Sequence, residues 1–241
     1  MGIVIGRLLS AVARKTAWRT ILVEWNGTPH PNRVTLDGMY VRLEPLDPQR
    51  HHGDLLSSAI AEGASERFRY LFDQMPTGEA DFGNWIEKAS ASLDPLFFAV
   101  IDKATGKAEG RQSFMRIDTA HGVIEIGNIL WGPALSRKRT ATEAFFLFAS
   151  YAFDTLGYRR LEWKCDNRNA PSKHAAVRFG FTFEGIFRQH MMVKGESRDT
   201  AWFAIVNSDW PQISRALRAW LDRDNFDADG SQLRRLEEFR A

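Results

Sequence analysis

Three short stretches carry the side chains that could do chemistry. In the stretch CDNRNAPSKHAAVRFGFTFEG, residues 165–185, a polar loop ends at Asn169 and a short helical run carries Ser172 near its start. Glu125 stands in an apolar strand-like run, where a carboxylate is costly to bury unless it is paired or used. The basic run at residues 137–139 precedes a helix pattern, and a helix N-terminus can bind an anion. The sequence thus offers a hydroxyl, a carboxylate and an anion-binding helix start.

The first stretch resembles the N-x-x-S…G-F…E-G segment of the GNAT superfamily of acyl-CoA N-acyltransferases, in the branch typified by the RimJ and RimL protein acetyltransferases. The runs Ala-Thr-Glu-Ala at residues 141–144 and Glu-Ile-Gly at residues 125–127 match the same branch, and the resemblance covers roughly residues 34–210. It implies an N-acetyltransferase that moves an acetyl group from acetyl-CoA to a primary amine by direct attack, without a covalent acyl-enzyme or a metal. The alternative is a catalytically weakened acyl-CoA-binding or sensing module of the same fold.

The resemblance also implies where acetyl-CoA binds. The residues that it assigns to the cofactor are Ile129, Leu130, Arg137, Lys138, Arg139, Thr140, Ala141, Thr142 and Asn169. The family loop reads Gln/Arg-x-x-Gly-x-Gly/Ala, whereas here Ser136 replaces the first residue and Arg139 occupies a glycine position. Arginine adopts a positive φ less readily than glycine, but its guanidinium can bind phosphate directly. The alternative for residues 137–139 is a solvated charge run.

Two residues are assigned to catalysis by the resemblance. Ser172 would protonate the departing CoA sulfur, whereas the residues alone equally allow it to satisfy backbone N–H groups beside a helix cap at Asn169. Glu125 is the candidate base, and its alternative is a structural carboxylate paired with an arginine. His190 and Glu162 are weaker candidates for the same role. The proton donor and the base therefore remain hypotheses.

The acceptor site is predicted in the segment at residues 66–72, which resembles the aromatic W/F-R-Y-L run of the branch. The residues assigned to the acceptor are Phe68, Tyr70 and Phe72, although core filling explains the alternation equally well. Met191 stands where some relatives carry a carboxylate. A weak base favours an α-amine, with a pKa of about 7.7 to 8.0, over a lysine at about 10.4. We therefore expect a peptide or small-molecule amine as the acceptor.

Composition sets bounds on the class of protein. The chain has 241 residues, 44% hydrophobic and 26% charged, as in a globular protein with one large domain and appendages. A net charge of +2 is too small to imply a nucleic-acid partner. Cys165 is the only cysteine, which excludes an intramolecular disulfide and a Cys-based zinc site, and we interpret it as a small core residue.

The first 25 residues are basic, with no acidic residue before Glu24, and their apolar run is shorter than the roughly 20 residues of a membrane span. We interpret them as an amphipathic extension of a soluble, cytoplasmic protein, and organellar targeting stays open. The predicted domains are an N-terminal extension and linker at 1–33, the acetyltransferase domain at 34–222 and a polar C-terminal tail at 223–241. We expect a monomer or a homodimer.

Hydrophobic periodicity predicts an α/β domain of the GNAT fold, with a mixed, mostly antiparallel, splayed central sheet flanked by helices. A helix capped by Asp81 and a largely buried helix at 142–156 are among its elements. The predicted strands are 39–43, 95–102, 108–117, 123–131, 160–166, 181–193 and 200–206, and the other predicted helices begin at residues 48, 171 and 209.

Overall fold

The computed structural model describes residues 25–240, so most of the predicted N-terminal extension lies outside the described residues. One eight-stranded sheet organises the chain, in the order β1-β2-β3-β4-β5-β6-β8-β7. Its strands are β1 (Leu36–Asp37), β2 (Val41–Pro45), β3 (Leu96–Asp102), β4 (Ala108–Asp118), β5 (Val123–Trp131), β6 (Arg160–Asp166), β7 (Thr182–Val193) and β8 (Glu196–Val206). The paired strands are antiparallel except β5 and β6, which confirms the mixed, mostly antiparallel fold class.

The helices cover both faces of this sheet. They are α1 (Pro48–Ile60), α2 (Ala64–Phe68), α3 (Glu79–Ala91), α4 (Arg139–Ser150), α5 (Ala170–Phe179) and α6 (Trp210–Leu221), and a π-helical turn at Tyr151–Thr155 continues α4. None of the helices within residues 25–240 is long and apolar enough to cross a membrane. The larger core lies between the sheet and α4 to α6, where Phe114 stacks on Phe148 at 4.0 Å and Phe145 on Phe179 at 4.4 Å. A smaller core lies under α1 and α3.

Side-chain caps begin two of the helices, α1 and α5, and one cap predicted from the sequence is absent. The Asp47 side chain accepts hydrogen bonds from the backbone N–H groups of residues 49 and 50, and Pro48 opens α1. Asp81 does not cap its helix, because α3 begins two residues earlier, at Glu79. Asp81 instead lies in the first turn and accepts from the N–H of Thr77 at 2.9 Å. The predicted cap was therefore wrong, and the carboxylate restrains the loop before the helix.

The segment after residue 222, interpreted from its composition as a polar tail, is packed against the domain as far as residue 240. Leu236 is fully buried, and Phe226 lies 5.0 Å from Trp220 in an edge-to-face contact. The Asn225 side chain donates to the Trp220 carbonyl at 3.0 Å. Two apolar anchors in a polar sequence, Phe226 and Leu236, were too sparse to predict this packing.

Glu143, in the Ala-Thr-Glu-Ala run, is a buried carboxylate that ties α4 to the first turn of the sheet. Its two oxygens accept hydrogen bonds from the backbone N–H groups of Met39, Tyr40 and Val41 at 2.6 to 2.7 Å. A Cβ on Gly38 would lie 2.6 Å from the Glu143 carboxyl carbon, so only glycine allows this approach. Glu143 therefore fixes the position of α4 relative to β2.

Glu143→Gln should lower the free energy of unfolding by about 2–4 kcal/mol, because an amide N–H₂ would then face a backbone donor and charge-assisted bonds would be lost. Urea unfolding of both proteins measures the difference. Glu87→Gln, an exposed change on α3, is the matched control and should alter stability by less than about 0.5 kcal/mol. Equal stability of the Glu143→Gln variant and the parent chain would contradict this structural role.

Candidate active site

A cleft opens where β5 and β6 separate. The two strands pair in parallel over only three positions, Val123–Glu125 against Arg160–Glu162, and then diverge. Each strand continues beyond its last pair, β5 to Trp131 and β6 to Asp166, so both present unpaired backbone to the gap. The side chains that line the cleft include those of Tyr70, Phe72, Met115, Asn128, Ile129, Cys165 and Ser172. The sheet thus provides a slot with hydrogen-bonding walls.

A β-bulge shapes the β5 wall of this cleft. Arg111 pairs with Leu130 and Ser113 with Gly127, so that two β5 residues, Asn128 and Ile129, stand opposite one residue of β4. Asn128 has a φ of 51°, in the left-handed region that asparagine tolerates better than most residues. A bulge turns backbone groups out of the ladder toward a ligand. The sequence signal for this bulge is the isolated Gly127, followed by Asn128, within an otherwise apolar strand.

The two strand residues assigned to the cofactor point in different directions. Ile129 lines the cleft. Leu130 is buried in the smaller core under α1 and α3 and does not line the cleft. The alternation of side chains along a strand explains this difference, so Leu130 can contribute only its backbone.

The opposite wall carries Ser172 and Asn169 at the start of α5. Asn169 caps the helix, since its Oδ1 accepts from the Ser172 N–H at 3.1 Å. The Ser172 Oγ accepts a hydrogen bond from Trp163 Nε1 at 2.9 Å. Because Trp163 fills one lone pair of the oxygen, the hydroxyl keeps its own proton available as a donor. Both side chains line the cleft, so capping and ligand contact are compatible.

The α4 N-terminus forms a candidate anion site, although its strained residue is not the one expected. The left-handed backbone lies at Arg137, with a φ of 63°, whereas Arg139 is the first residue of α4. The Arg139 guanidinium lies over the Tyr40 ring at 4.3 Å and over Phe226 at 5.0 Å. Arg139 therefore replaces glycine without backbone strain, and its charge is held by aromatic rings.

Unused donors remain at this helix start. Among the described residues no side chain caps α4, so the N–H groups of its first turn are free of intrahelical partners. The Thr140 hydroxyl is buried and finds no hydrogen-bond partner in residues 25–240. Thr142 differs, because its hydroxyl accepts from Arg178 at 3.0 Å, and Ala141 is buried in the core. The backbone, Lys138 and Thr140 are thus the groups best placed to bind a phosphate.

Glu125 belongs to a buried charge network at the point where the strands separate. It stands directly opposite Glu162, the last paired residue of β6. Lys164 Nζ bridges the two carboxylates, at 3.0 Å from Glu125 and 2.6 Å from Glu162. Arg116 adds a second cation to Glu125 at 2.7 Å, and Arg160 pairs with Glu162 at 2.7 Å. The alternative of a structural carboxylate, paired with arginine, thus has direct support in the geometry.

His190 lies beyond the cleft wall, at a second bulge in β7. Its ring is 5.9 Å from Trp202, and its Nδ1 lies 3.0 Å from the Thr200 hydroxyl. Burial lowers the pKa of His190, and the nearby cations Arg116 and Arg198 lower it further. The imidazole is therefore neutral near pH 7 and can accept a proton. Its side chain does not line the cleft.

The predicted acceptor segment divides between cleft and core. Tyr70 and Phe72 line the cleft, and the Arg198 guanidinium lies 5.2 Å from the centre of the Phe72 ring. Phe68 is buried in the smaller core and fills space between α2 and the sheet, so the core-filling alternative holds for this residue. The Phe68 carbonyl accepts from Lys194 Nζ at 2.8 Å, which attaches the end of α2 to the β7–β8 hairpin.

Cys165 lines the cleft but is buried and unpaired with any other thiol. Burial raises the pKa of its thiol, and the neighbouring Ser172 hydroxyl offsets only part of this effect. A raised pKa disfavours the thiolate that a nucleophile needs.

Within residues 25–240, no group of three or more His, Cys, Asp or Glu side chains is arranged to hold a metal ion.

Comparison with known proteins finds similarity to acetyltransferases. The family model described as acetyltransferase (GNAT) domain matches residues 41–182. A curated relative, the uncharacterized N-acetyltransferase p20 of Bacillus licheniformis, is 31% identical over 117 residues, which are 47% of this chain and 63% of the relative. The matched segment thus spans less than two thirds of that relative's length.

Solved structures extend the similarity to nearly the whole chain. A GCN5-related N-acetyltransferase from Brucella melitensis is 57% identical, with a TM-score of 0.90, and the match covers 91% of this chain and 99% of that one. A probable acetyltransferase of the GNAT family from Chromobacterium violaceum is 38% identical, with a TM-score of 0.74, over 80% of this chain and 96% of that one. The ribosomal L7/L12 α-N-protein acetyltransferase RimL shares the fold at 18% identity, with a TM-score of 0.62 over 72% of this chain and 94% of its own.

Alkylation of Cys165 by iodoacetamide should be about tenfold or more slower in the native protein than in urea, because the buried thiol forms little thiolate. The rate should rise with pH only above the ordinary thiol range of about 8.5. Mass spectrometry of quenched samples measures both rates. Equal rates in the native and unfolded chain would show that the thiol is accessible and ionised.

Proposed function

This chain belongs to the GNAT acetyltransferase family, and we propose that it transfers an acetyl group from acetyl-CoA to a primary amine by direct attack. The observation that carries the proposal is the separation of β5 and β6, with a bulge on one wall and a serine hydroxyl on the other. A thioester arm in this slot would have hydrogen-bonding groups along its length and a proton donor at its end. Acetyl-CoA supplies an activated acyl group when it is bound.

The residues of the chain fit the donor in two places. The unpaired edge of β5, from Ile126 onward, can pair with the amides of an extended arm as an added strand would. The α4 start offers free N–H groups, the positive end of the helix dipole, Lys138 and the unpartnered Thr140 hydroxyl to a diphosphate. The buried hydroxyl without a partner is the detail that a bound phosphate would explain.

The chemistry requires a donor for the carbonyl oxygen and a proton for the leaving sulfur. Backbone groups freed from the ladder at Asn128 and Ile129 can stabilise the charge that develops on the carbonyl oxygen. Ser172 can donate its hydroxyl proton to the thiolate, because Trp163 already occupies the acceptor side of Oγ. Attack by the neutral amine forms the C–N bond, and the C–S bond breaks as the sulfur takes the Ser172 proton. The proton that the nitrogen loses passes through solvent to the Ser172 oxygen, so the products are the amide and the free thiol of CoA.

The acceptor class follows from the carboxylates of the cleft. Glu125 and Asp166 both line it, and both are ion-paired, Glu125 with Arg116 and Lys164 and Asp166 with Arg168. No unpaired carboxylate is therefore ready to deprotonate an ammonium ion within the described part of the cleft. An amine that is partly neutral near pH 7, such as the α-amine of a peptide or amino compound, suits this site better than a lysine.

The test is release of CoA from acetyl-CoA, followed with a thiol reagent, in the presence of N-terminal peptides, amino sugars and polyamines. We expect turnover with α-amines and less turnover with ε-amines, whose pKa is higher. Mass spectrometry of the acceptor confirms the added acetyl group. Tight binding of acetyl-CoA without turnover on any acceptor would favour the alternative of a sensing module.

Ser172→Ala should lower kcat while the dissociation constant of acetyl-CoA stays nearly unchanged. General-acid assistance is worth on the order of 10²–10⁴-fold, and we expect the low end because a CoA thiolate is already a tolerable leaving group. The defect should shrink as the pH rises toward the thiol pKa of about 8.5, where departing thiolate needs no proton. Steady-state kinetics and calorimetry measure these quantities.

Ser57→Ala, on the exposed face of α1, is the matched control and should match the parent chain. A loss of activity that is uniform across pH and accompanied by weaker cofactor binding would make Ser172 a structural residue of the helix start.

A further inference from the structure

Arg111 is a buried cation that no step of the proposed reaction uses. It lies on β4, is only 2% exposed and donates from Nη2 to the carboxylate of Asp73. Its guanidinium carbon lies 4.2 Å from the centre of the Trp85 ring and 5.5 Å from that of Phe97. The Nε atom finds no hydrogen-bond partner in residues 25–240. Such a group is costly to bury, and a stable core alone does not require it.

Arg111 contacts two structures that flank the cleft, the segment that contains Asp73 and the β5 bulge. Asp73 ends the acceptor segment, defined here as residues 70–73, whose Tyr70 and Phe72 line the cleft. On the other side, Arg111 Nη1 lies 3.5 Å from the carbonyl oxygen of Asn128, the left-handed residue of the β5 bulge. One guanidinium therefore touches both the bulge and the end of the segment.

The other attachments of the acceptor segment use uncharged groups of the segment or lie outside it. The Phe72 ring faces the Arg198 guanidinium at 5.2 Å. The Tyr70 hydroxyl is 3.4 Å from the Arg168 carbonyl, near the limit for a hydrogen bond. Lys194 binds the carbonyl of Phe68, two residues before the segment begins. The ion pair at Asp73 is thus the charged attachment at the end of the segment. It is partly buried, on the Arg111 side, and a charged hydrogen bond of this kind has strict geometry.

A shallow groove continues from the cleft past this ion pair. Its walls include Phe72, Asp73, Trp85, Met115 and Asn128, so the groove passes between the acceptor segment and the bulge. An acceptor longer than a single amine would lie against the same residues that Arg111 holds. The distance between these walls then decides whether the amine reaches the thioester.

We propose that Arg111 is a positioning residue, which holds the acceptor segment against the β5 bulge through Asp73 and thereby sets the path of the acceptor amine to the acetyl group. This inference rests on the proposed function of the cleft. Arg111 lines neither the cleft nor the groove, and it acts through Asp73, Asn128 and the rings on which it stacks. Loss of the ion pair should free the segment while the slot between β5 and β6 stays intact.

Asp73→Asn tests the inference, because it removes the charge but keeps the size of the side chain. We expect kcat/KM for the acceptor to fall by up to about 100-fold, mostly through KM, because small misplacements of a reactant have effects of that order. The dissociation constant of acetyl-CoA should stay within about twofold, since the α4 start and β5 edge are unchanged. Hydrogen exchange of the peptide that spans residues 70–73 should become faster.

Asp73→Glu is the conservative variant, and retention of the carboxylate should restore most of the activity and the slow exchange. Asp37→Asn is the matched control, because it removes the carboxylate of an exposed pair with Lys103 far from the acceptor segment. Thermal melting of each variant confirms that it is folded. Arg111→Lys serves as a second variant if folded, and should also raise the acceptor KM. Lysine lacks the two separate nitrogens with which Arg111 reaches Asp73 and Asn128, and it lacks the planar group that stacks on Trp85.

Unchanged acceptor KM and unchanged exchange in Asp73→Asn would overturn the inference. Equal losses for acceptor and acetyl-CoA would also overturn it, since they would indicate a general effect on the fold. Failure of the parent chain to turn over any amine would instead refute the proposed function. In that case, exchange at residues 70–73 still reports whether the ion pair holds the segment.

Discussion

The separation of β5 from β6 is the constraint on which the rest of the structure depends. Two neighbouring strands that pair over three positions and then diverge leave backbone donors and acceptors facing an open gap. Unpaired backbone groups away from water are costly, so such a gap is stable only where a ligand or solvent can enter it. The antiparallel strands on either side keep their ladders, and the two helical layers hold the halves of the sheet together.

A charge network marks the point where the strands begin to part. Glu125 and Glu162 stand opposite each other in the last parallel pair, and like charges placed so would repel. The ammonium group of Lys164 contacts both, and an arginine flanks each carboxylate. The bridge of Glu125, Lys164 and Glu162 stabilises the last pair of β5 and β6. The next residues of the two strands, Ile126 and Trp163, carry no charge and form no such bridge. The base proposed from the sequence thus contributes first to the geometry of the cleft.

The sequence was sufficient for features that depend on neighbouring residues. The order of the predicted elements, the buried strand β3, the buried helix α4 and the cap at Asn169 all follow from local periodicity or capping chemistry, and the structure confirms them. The short elements β1 and α2 were not predicted. Features that depend on partners distant in the chain could not be predicted. Glu143 binds a turn about a hundred residues away, and Arg139 stacks on Tyr40 and Phe226. The backbone conformation of the loop before α4 was also not predicted, because the positive φ falls on Arg137 and not on Arg139.

Buried charges are the common solution to positioning in this protein. Glu143 fixes α4 to β2, Lys164 joins β5 to β6, and Arg111 joins β4 to the loop after α2. Apolar side chains of similar size would serve stability as well or better, because charged groups lose hydration on burial. Apolar contacts, however, tolerate sliding, whereas a carboxylate that accepts from three N–H groups has strict geometry. The Lys164 ammonium is a point charge, and it holds two carboxylates of neighbouring strands close together. Lys164 and Arg111 contact elements that line the cleft, whereas Glu143 fixes α4, whose N-terminus is the candidate anion site. Burial of these charges lowers the stability that apolar side chains could provide. The fold gives up that stability and in return fixes the positions of the elements around the cleft.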